Sequence, residues 1–124
     1  DREWDYAYRA GAITQFSFGD DIEVLGAYAW CSINAEDRTW PVGLLRPNDF
    51  GLFDMHGNLW EWTASVRLRS QSRLLREVDG EDEPIVDGGR FRSSDCGLRP
   101  SERRTGEPQA YEREHGFRVV RTAR

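Results

Sequence analysis

Asn48–Trp62, NDFGLFDMHGNLWEW, is the stretch from which the fold of this chain is read. It follows a segment in which Pro41, Pro47 and Asn48 fix the local backbone direction. Gly43, Gly51 and Gly57 permit left-handed or closely packed backbone around them. Most of this region is therefore expected to be non-repetitive, and its N–H and C=O groups must be satisfied without a ladder. The side chains of Asn48, Asp54 and Asn58, or a bound ion, are the groups available to do so. Trp60 and Trp62 read as core anchors. Glu61, set between them, is a carboxylate in an apolar setting that needs a partner: a cation, an arginine, or backbone N–H groups.

Outward from this run, the chain is a series of short aromatic-rich segments punctuated by glycine, the texture of a loop-rich α+β domain with short strands and few helices. Over Asp1–Gly11, Trp4, Ala7 and Tyr8 fall at helical spacing, and Gly11 is placed to end the helix. A turn is expected at Gly19–Asp21. Arg67, Arg69, Arg73 and Arg76 are followed by Asp79, Glu81, Asp82 and Glu83, a basic-then-acidic linker read as a solvated loop or short hairpin. Near the C-terminal end, Gly88 and Gly89 are expected to begin a strand. GFRVVR at 116–121 is expected to supply the last one, half-buried, with Phe117 and Val119 alternating with Arg118.

The 124 residues, 38% hydrophobic and 12% aromatic, fit one domain spanning 1–124 with one core. No apolar run approaches the roughly 18 residues of a membrane span. No signal-peptide pattern opens the chain. The net charge of −5 argues against a nucleic-acid partner. All 17 basic residues are arginine, which reads as a chain-wide compositional bias. Cys31 and Cys96 form no CxxC motif and stand as buried thiols, a disulfide or a reactive pair. His56 and His115 are the two histidines.

PVG at 41–43 and PNDFGLFDMHGNLWEW at 47–62, in that order and spacing, resemble the formylglycine-generating-enzyme (sulfatase-modifying-factor) domain family, a variant of the C-type-lectin-like fold. The helix EWDYAYRAG, the segment IVDGGRFRSSDCGLRPSERR and the final EHGFRVVR are similar to the same family. The match is to its C-terminal portion; the family's further N-terminal portion, with a first strand and helix, would be supplied elsewhere or by a partner chain. The resemblance implies a calcium site at Asp54, Gly57, Leu59 and Glu61, two carboxylates and two carbonyls of the hard-oxygen kind that Ca²⁺ takes. It also implies where oxidase chemistry resides: a cysteine pair that binds copper. Aligned from Gly88 without gaps, those positions are Ser93 and Leu98, with the single Cys96 between them. Copper chemistry is thus not carried over, unless Cys96 and Cys31 serve in its place. Two histidines are also too few for the three-histidine iron site of related sulfoxide synthases.

The expected function is a non-catalytic module binding a protein or small-molecule ligand. Its surface is expected at Arg90, Phe91, Arg92, Ser93, Ser94, Asp95, Arg99, Glu102 and Arg104, aromatic anchors among adaptable polar groups. This region is similar to the variable segment of diversity-generating-retroelement proteins. The alternatives are a copper-dependent oxidase converting a substrate cysteine to formylglycine, and a regulatory domain of a larger protein.

Overall fold

A computed structural model of the chain describes residues 2–67, 83–94, 98–99, 104–105 and 113–121. Helix α1 covers Arg2–Arg9, with Asp5 and Arg9 forming an i,i+4 pair on its outer side and Tyr8 fully buried on its inner side. Ala10 at φ 48° and Gly11 at φ 90° turn the chain into the left-handed region and end the helix where the glycine was expected to end it. A 3₁₀ turn over Ile22–Ala27 is capped by Asp21, whose Oδ1 accepts from Glu23 N at 3.0 Å.

Six strands follow among the described residues. β1 (Ala29–Trp30) pairs in parallel with β2 (His56–Gly57). β3 (Trp60–Arg67), β4 (Glu83–Asp87), β5 (Arg104–Thr105) and β6 (His115–Gly116) form a second sheet in the order β5-β4-β3-β6. β3 and β4 are antiparallel, with Glu61 opposite Asp87 and an irregularity between Trp62 and Val66. β6 lies parallel to β3 and pairs only Trp60 with His115 and Glu61 with Gly116.

The run 48–62 is held by the side chains expected to hold it. Asn48 Nδ2 donates to the carbonyls of Ala7 and Tyr8 at 2.6 and 3.2 Å, while its Oδ1 accepts from Phe50 N and Leu52 N, each at 3.1 Å. One buried amide therefore fastens the end of α1 to the loop. Asn58 bridges both backbone groups of Trp40, each at 3.0 Å, and Asp54 Oδ2 accepts from Gly43 N at 2.7 Å. Phe16, Leu25, Ala29, Cys31 and Leu98 form a buried cluster with Phe18 against it. Trp60 is buried as an anchor; Trp62 is half-buried and stacks on His115, 5.0 Å between ring centroids.

Two strand expectations are corrected. Gly88 and Gly89 do not begin a strand: β4 ends at Asp87, and the glycines at φ 97° and 77° are outside the β region. The segment after Gly116 is not a half-buried strand either. Phe117 and Val119 are 79% and 83% exposed, because only two residues pair with β3 and Arg118 turns to a buried partner. Most of the basic-then-acidic linker lies outside the described residues.

Gly57 is the position where glycine is required. Its φ is +79°, and a Cβ there would collide with the Trp30 carbonyl of the neighbouring strand. Gly43 has a similar φ of +77° but open space around it. Gly57→Ala is expected to cost at least about 2 kcal/mol, from strain plus collision. Gly43→Ala should cost only about 1 kcal/mol, from strain alone. Equal losses in urea denaturation would contradict this reading of the β1–β2 approach.

Candidate functional site

Glu61 is 8% exposed, and its partner is an arginine. Arg118 Nη2 donates to Oε1 at 2.7 Å and Nε to Oε2 at 3.0 Å, a bidentate pair. Trp4 Nε1 also donates to Oε2 at 2.9 Å, and Arg118 Nη2 reaches the Phe53 carbonyl at 2.9 Å. Of the partners left open by the sequence, the structure selects the arginine and adds an indole from α1.

Asp54, Gly57, Leu59 and Glu61, the four residues of the implied calcium site, line one cavity of about 410 Å³ together with Asn58 and Arg118. The donor set is hard oxygen, which suits calcium in kind. Both Glu61 oxygens accept from Arg118, however, and Asp54 Oδ2 accepts from Gly43 N. Calcium ligation by Glu61 would thus need the guanidinium to shift. Among the described residues no three His, Cys, Asp or Glu side chains cluster as a metal site.

The predicted binding region divides by burial. Arg92, Ser94 and Arg104 are exposed, and Arg90 and Arg99 half-buried. Phe91 and Ser93 are 6% and 8% exposed and so stand inside the domain rather than on its face. The reason is local: Phe91 N donates to the Asn58 carbonyl at 2.9 Å, and the Ser93 hydroxyl accepts from Arg90 N at 3.0 Å, tucking the turn inward. Asp95 and Glu102 lie outside the described residues. Arg92 bonds Asp37 through Nε and, at 2.7 Å, through Nη2, and reaches Glu114 Oε1 at 3.0 Å. Arg90 also pairs with Glu114. The Arg92 guanidinium holds the Asp37 carboxyl below its ordinary value, and Asp37 raises Arg92 in return. Beside this network the Arg38 guanidinium lies 3.7 Å from the centroid of Trp40, which stacks on Trp30 at 4.5 Å. Asp37, Glu114 and the Arg38–Trp40 stack were absent from the sequence reading. Asp37 and Glu114 meet Arg92 from segments remote in sequence, which no local pattern marks; the Arg38–Trp40 stack is local, and its one signal is an arginine two residues before a tryptophan.

At the positions aligned with the family's cysteine pair, Ser93 bonds within its own turn and Leu98 is fully buried against Cys31. Cys96 lies outside the described residues. His56 is buried: its Nε2 stands 2.7 Å from Ser17 Oγ, its ring edge-on to Tyr8 at 4.3 Å. Tyr8 donates to the Leu98 carbonyl at 2.8 Å, and burial pushes its hydroxyl well above the ordinary phenol range.

Residues 1–123 match the sulfatase-modifying factor enzyme 1-like domain. The chain belongs to that domain family. It is 38% identical over 74 residues to the formylglycine-generating enzyme of Mycobacterium tuberculosis, covering 51% of this chain and 25% of that protein. It is 30% identical to the inactive C-alpha-formylglycine-generating enzyme 2 of Mus musculus, covering 99% of this chain and 42% of that protein. Among solved structures, Treponema denticola variable protein 1 superposes with a TM-score of 0.78 at 26% identity, covering 93% of this chain and 43% of that one. This sulfatase-modifying-factor-like domain thus spans between a quarter and less than half of the length of these relatives. The α+β, loop-rich architecture is shared with the solved neighbours. No helix among the described residues is long and apolar enough to cross a membrane.

Burial lowers His56 from 6.5 to about 4, against a smaller opposing effect of a backbone bond at Leu98. The folded value lies below the unfolded one, so the neutral ring's contribution is intact above about pH 6.5 and is lost as pH falls towards 4. The loss should total about 3 kcal/mol, at about 1.4 kcal/mol per pH unit. Urea denaturation of the domain and of His56→Gln from pH 7.5 to 4 should show the wild-type decline flattened in the variant. Parallel curves would remove His56 as the cause.

Proposed function

We propose that this domain is a non-catalytic binding module of the sulfatase-modifying-factor type, whose contact surface includes the exposed Arg92, Ser94 and Arg104. The observation that supports it most is the pair of positions aligned with the family's copper-binding cysteines. Ser93 supplies a hydroxyl bonded to Arg90 N, and Leu98 is packed among Phe16, Leu25 and Cys31. Neither offers the soft thiolate that Cu(I) takes. The likeness to a protein named as variable and to one named as inactive points the same way. Arg92 offers a planar guanidinium held in place by Asp37 and Glu114, so that little side-chain freedom is lost on contact with a protein or small-molecule ligand.

The oxidase alternative draws on the 38% identity to an enzyme named for formylglycine generation. Two measurements separate the readings. Pull-down with the domain should recover a partner that Arg92→Ala retains at least tenfold less well, at an unchanged melting temperature. Incubation with Cu(I) and a Cys-x-Pro-x-Arg peptide should leave the peptide thiol intact. Stoichiometric Cu(I) binding with conversion of the peptide to formylglycine would overturn the proposal in favour of the oxidase.

We also propose that Asp54, Glu61 and the carbonyls of Gly57 and Leu59 hold Ca²⁺, with Arg118 released from Glu61. Bound there, the ion would neutralise two carboxylates and fasten the loop to β3. Calcium at about 100 times its Kd should stabilise the chelator-treated domain by about 2.7 kcal/mol. This would read as a rise of several degrees in melting temperature, abolished by Asp54→Asn. Calorimetry without heat, together with an unmoved melting temperature, would end the idea.

A further inference from the structure

Arg118 joins two parts of the domain at once. Its Nη2 donates to Glu61 Oε1 at 2.7 Å and to the Phe53 carbonyl at 2.9 Å, and its Nε donates to Glu61 Oε2 at 3.0 Å. The guanidinium thereby bridges the loop at Phe53 to β3. Calcium held by Asp54 and Glu61 would bridge the same two places, one residue further along the loop. Arg118 is thus the chain's own tethered cation at the link where a free ion would sit, and all three side chains line one cavity. The cavity accommodates either cation better than both. Asp54 and Glu61 carry two negative charges, which a divalent ion cancels; ion and guanidinium together leave the site one charge positive, and like charges this close repel strongly where water is partly excluded. The guanidinium has a way out, since the Arg118 side chain is 27% exposed. Phe117, Val119, Val120 and Arg121 are exposed, whereas Arg118 is half-buried, so Arg118 is the side chain that fastens residues 117–121 to the domain.

We propose, resting on calcium at Asp54 and Glu61 as proposed above, that Arg118 is a built-in competitor of the ion, and that exchange of guanidinium for Ca²⁺ on Glu61 releases residues 117–121. Without calcium, Arg118 neutralises Glu61, bridges it to the 53–54 loop and holds the segment down. With calcium, Asp54 and Glu61 keep loop and β3 joined through the ion, and Arg118 turns to water with the residues around it. The loop-to-β3 link is present in both states, so the exchange moves the segment and leaves the fold in place. Arg118 therefore sets the calcium affinity, and calcium sets whether the segment is held. The coupling is reciprocal: any contact that draws Arg118 away from Glu61 strengthens calcium binding by the same factor by which calcium strengthens that contact.

The test is a titration of the whole 124-residue chain, treated with chelator, with Ca²⁺ by calorimetry and by NMR. As calcium saturates, the Arg118 Nε–H signal should move to that of a solvated arginine, and the backbone order of 117–121 should fall while that of β4 holds. Arg118→Gln, which removes the competing charge, should bind calcium at least about tenfold more tightly than wild type. Arg118→Lys, which restores a charge, should return the affinity towards the wild-type value, a reversal that lost packing alone would not give. Should Arg118→Gln fail to fold without calcium, the wild-type NMR titration alone decides. Calcium binding with the Arg118 signal unmoved, or with Arg118→Gln no tighter than wild type, would overturn the exchange and leave the calcium site standing. Binding by neither protein would overturn the calcium site and the exchange with it.

Discussion

A buried carboxylate between two tryptophans has to be neutralised where it stands, and the organisation of this domain follows from how that is done. Glu61 sits on β3, Arg118 in the segment after β6 and Trp4 on α1, so one carboxylate ties together residues 57 positions away on either side. The bidentate geometry fixes orientation as well as charge, since both guanidinium donors must align with both oxygens. Removing Arg118 would leave the buried Glu61 carboxylate with the Trp4 indole as its remaining partner, which is more costly than the pair is favourable. The ion pair therefore constrains where α1 and the C-terminal segment lie relative to β3.

Around this fixed point the chain is mostly irregular, and asparagine side chains take the place of a ladder. Asn48 closes the end of α1 while ordering its own loop, and Asn58 joins Trp40 to the tight approach of β1 and β2. These amides are satisfied as donors and acceptors at once, which is why backbone of this kind stays inside a compact domain. The aromatic and apolar cluster beneath gives a core of modest size, with His56 held neutral inside it.

The family match runs over residues 1–123, whereas the positions that the resemblance aligns with the family's cysteine pair are two, one in the turn after β4 and one in the core. A leucine at the second of these serves packing. Relatives named for an enzyme, an inactive counterpart and a variable protein all share the same frame. Fold alone does not choose among such functions.

The sequence by itself determined the family, the α+β class, the helix ending at Gly11, the anchoring role of Trp60 and the amide roles of Asn48 and Asn58. Each of these is set by short-range pattern: spacing, turn chemistry, or a polar side chain beside backbone that must be satisfied. Tertiary structure decided the rest. That Arg118 rather than another group meets Glu61, that Asp37 and Glu114 hold Arg92, and that Phe91 and Ser93 face inward all depend on segments remote in sequence. GFRVVR shows the limit most clearly. Its alternation is that of a half-buried strand, yet whether such a strand is covered depends on what packs beside it, and a periodicity of side chains contains no information about the neighbour.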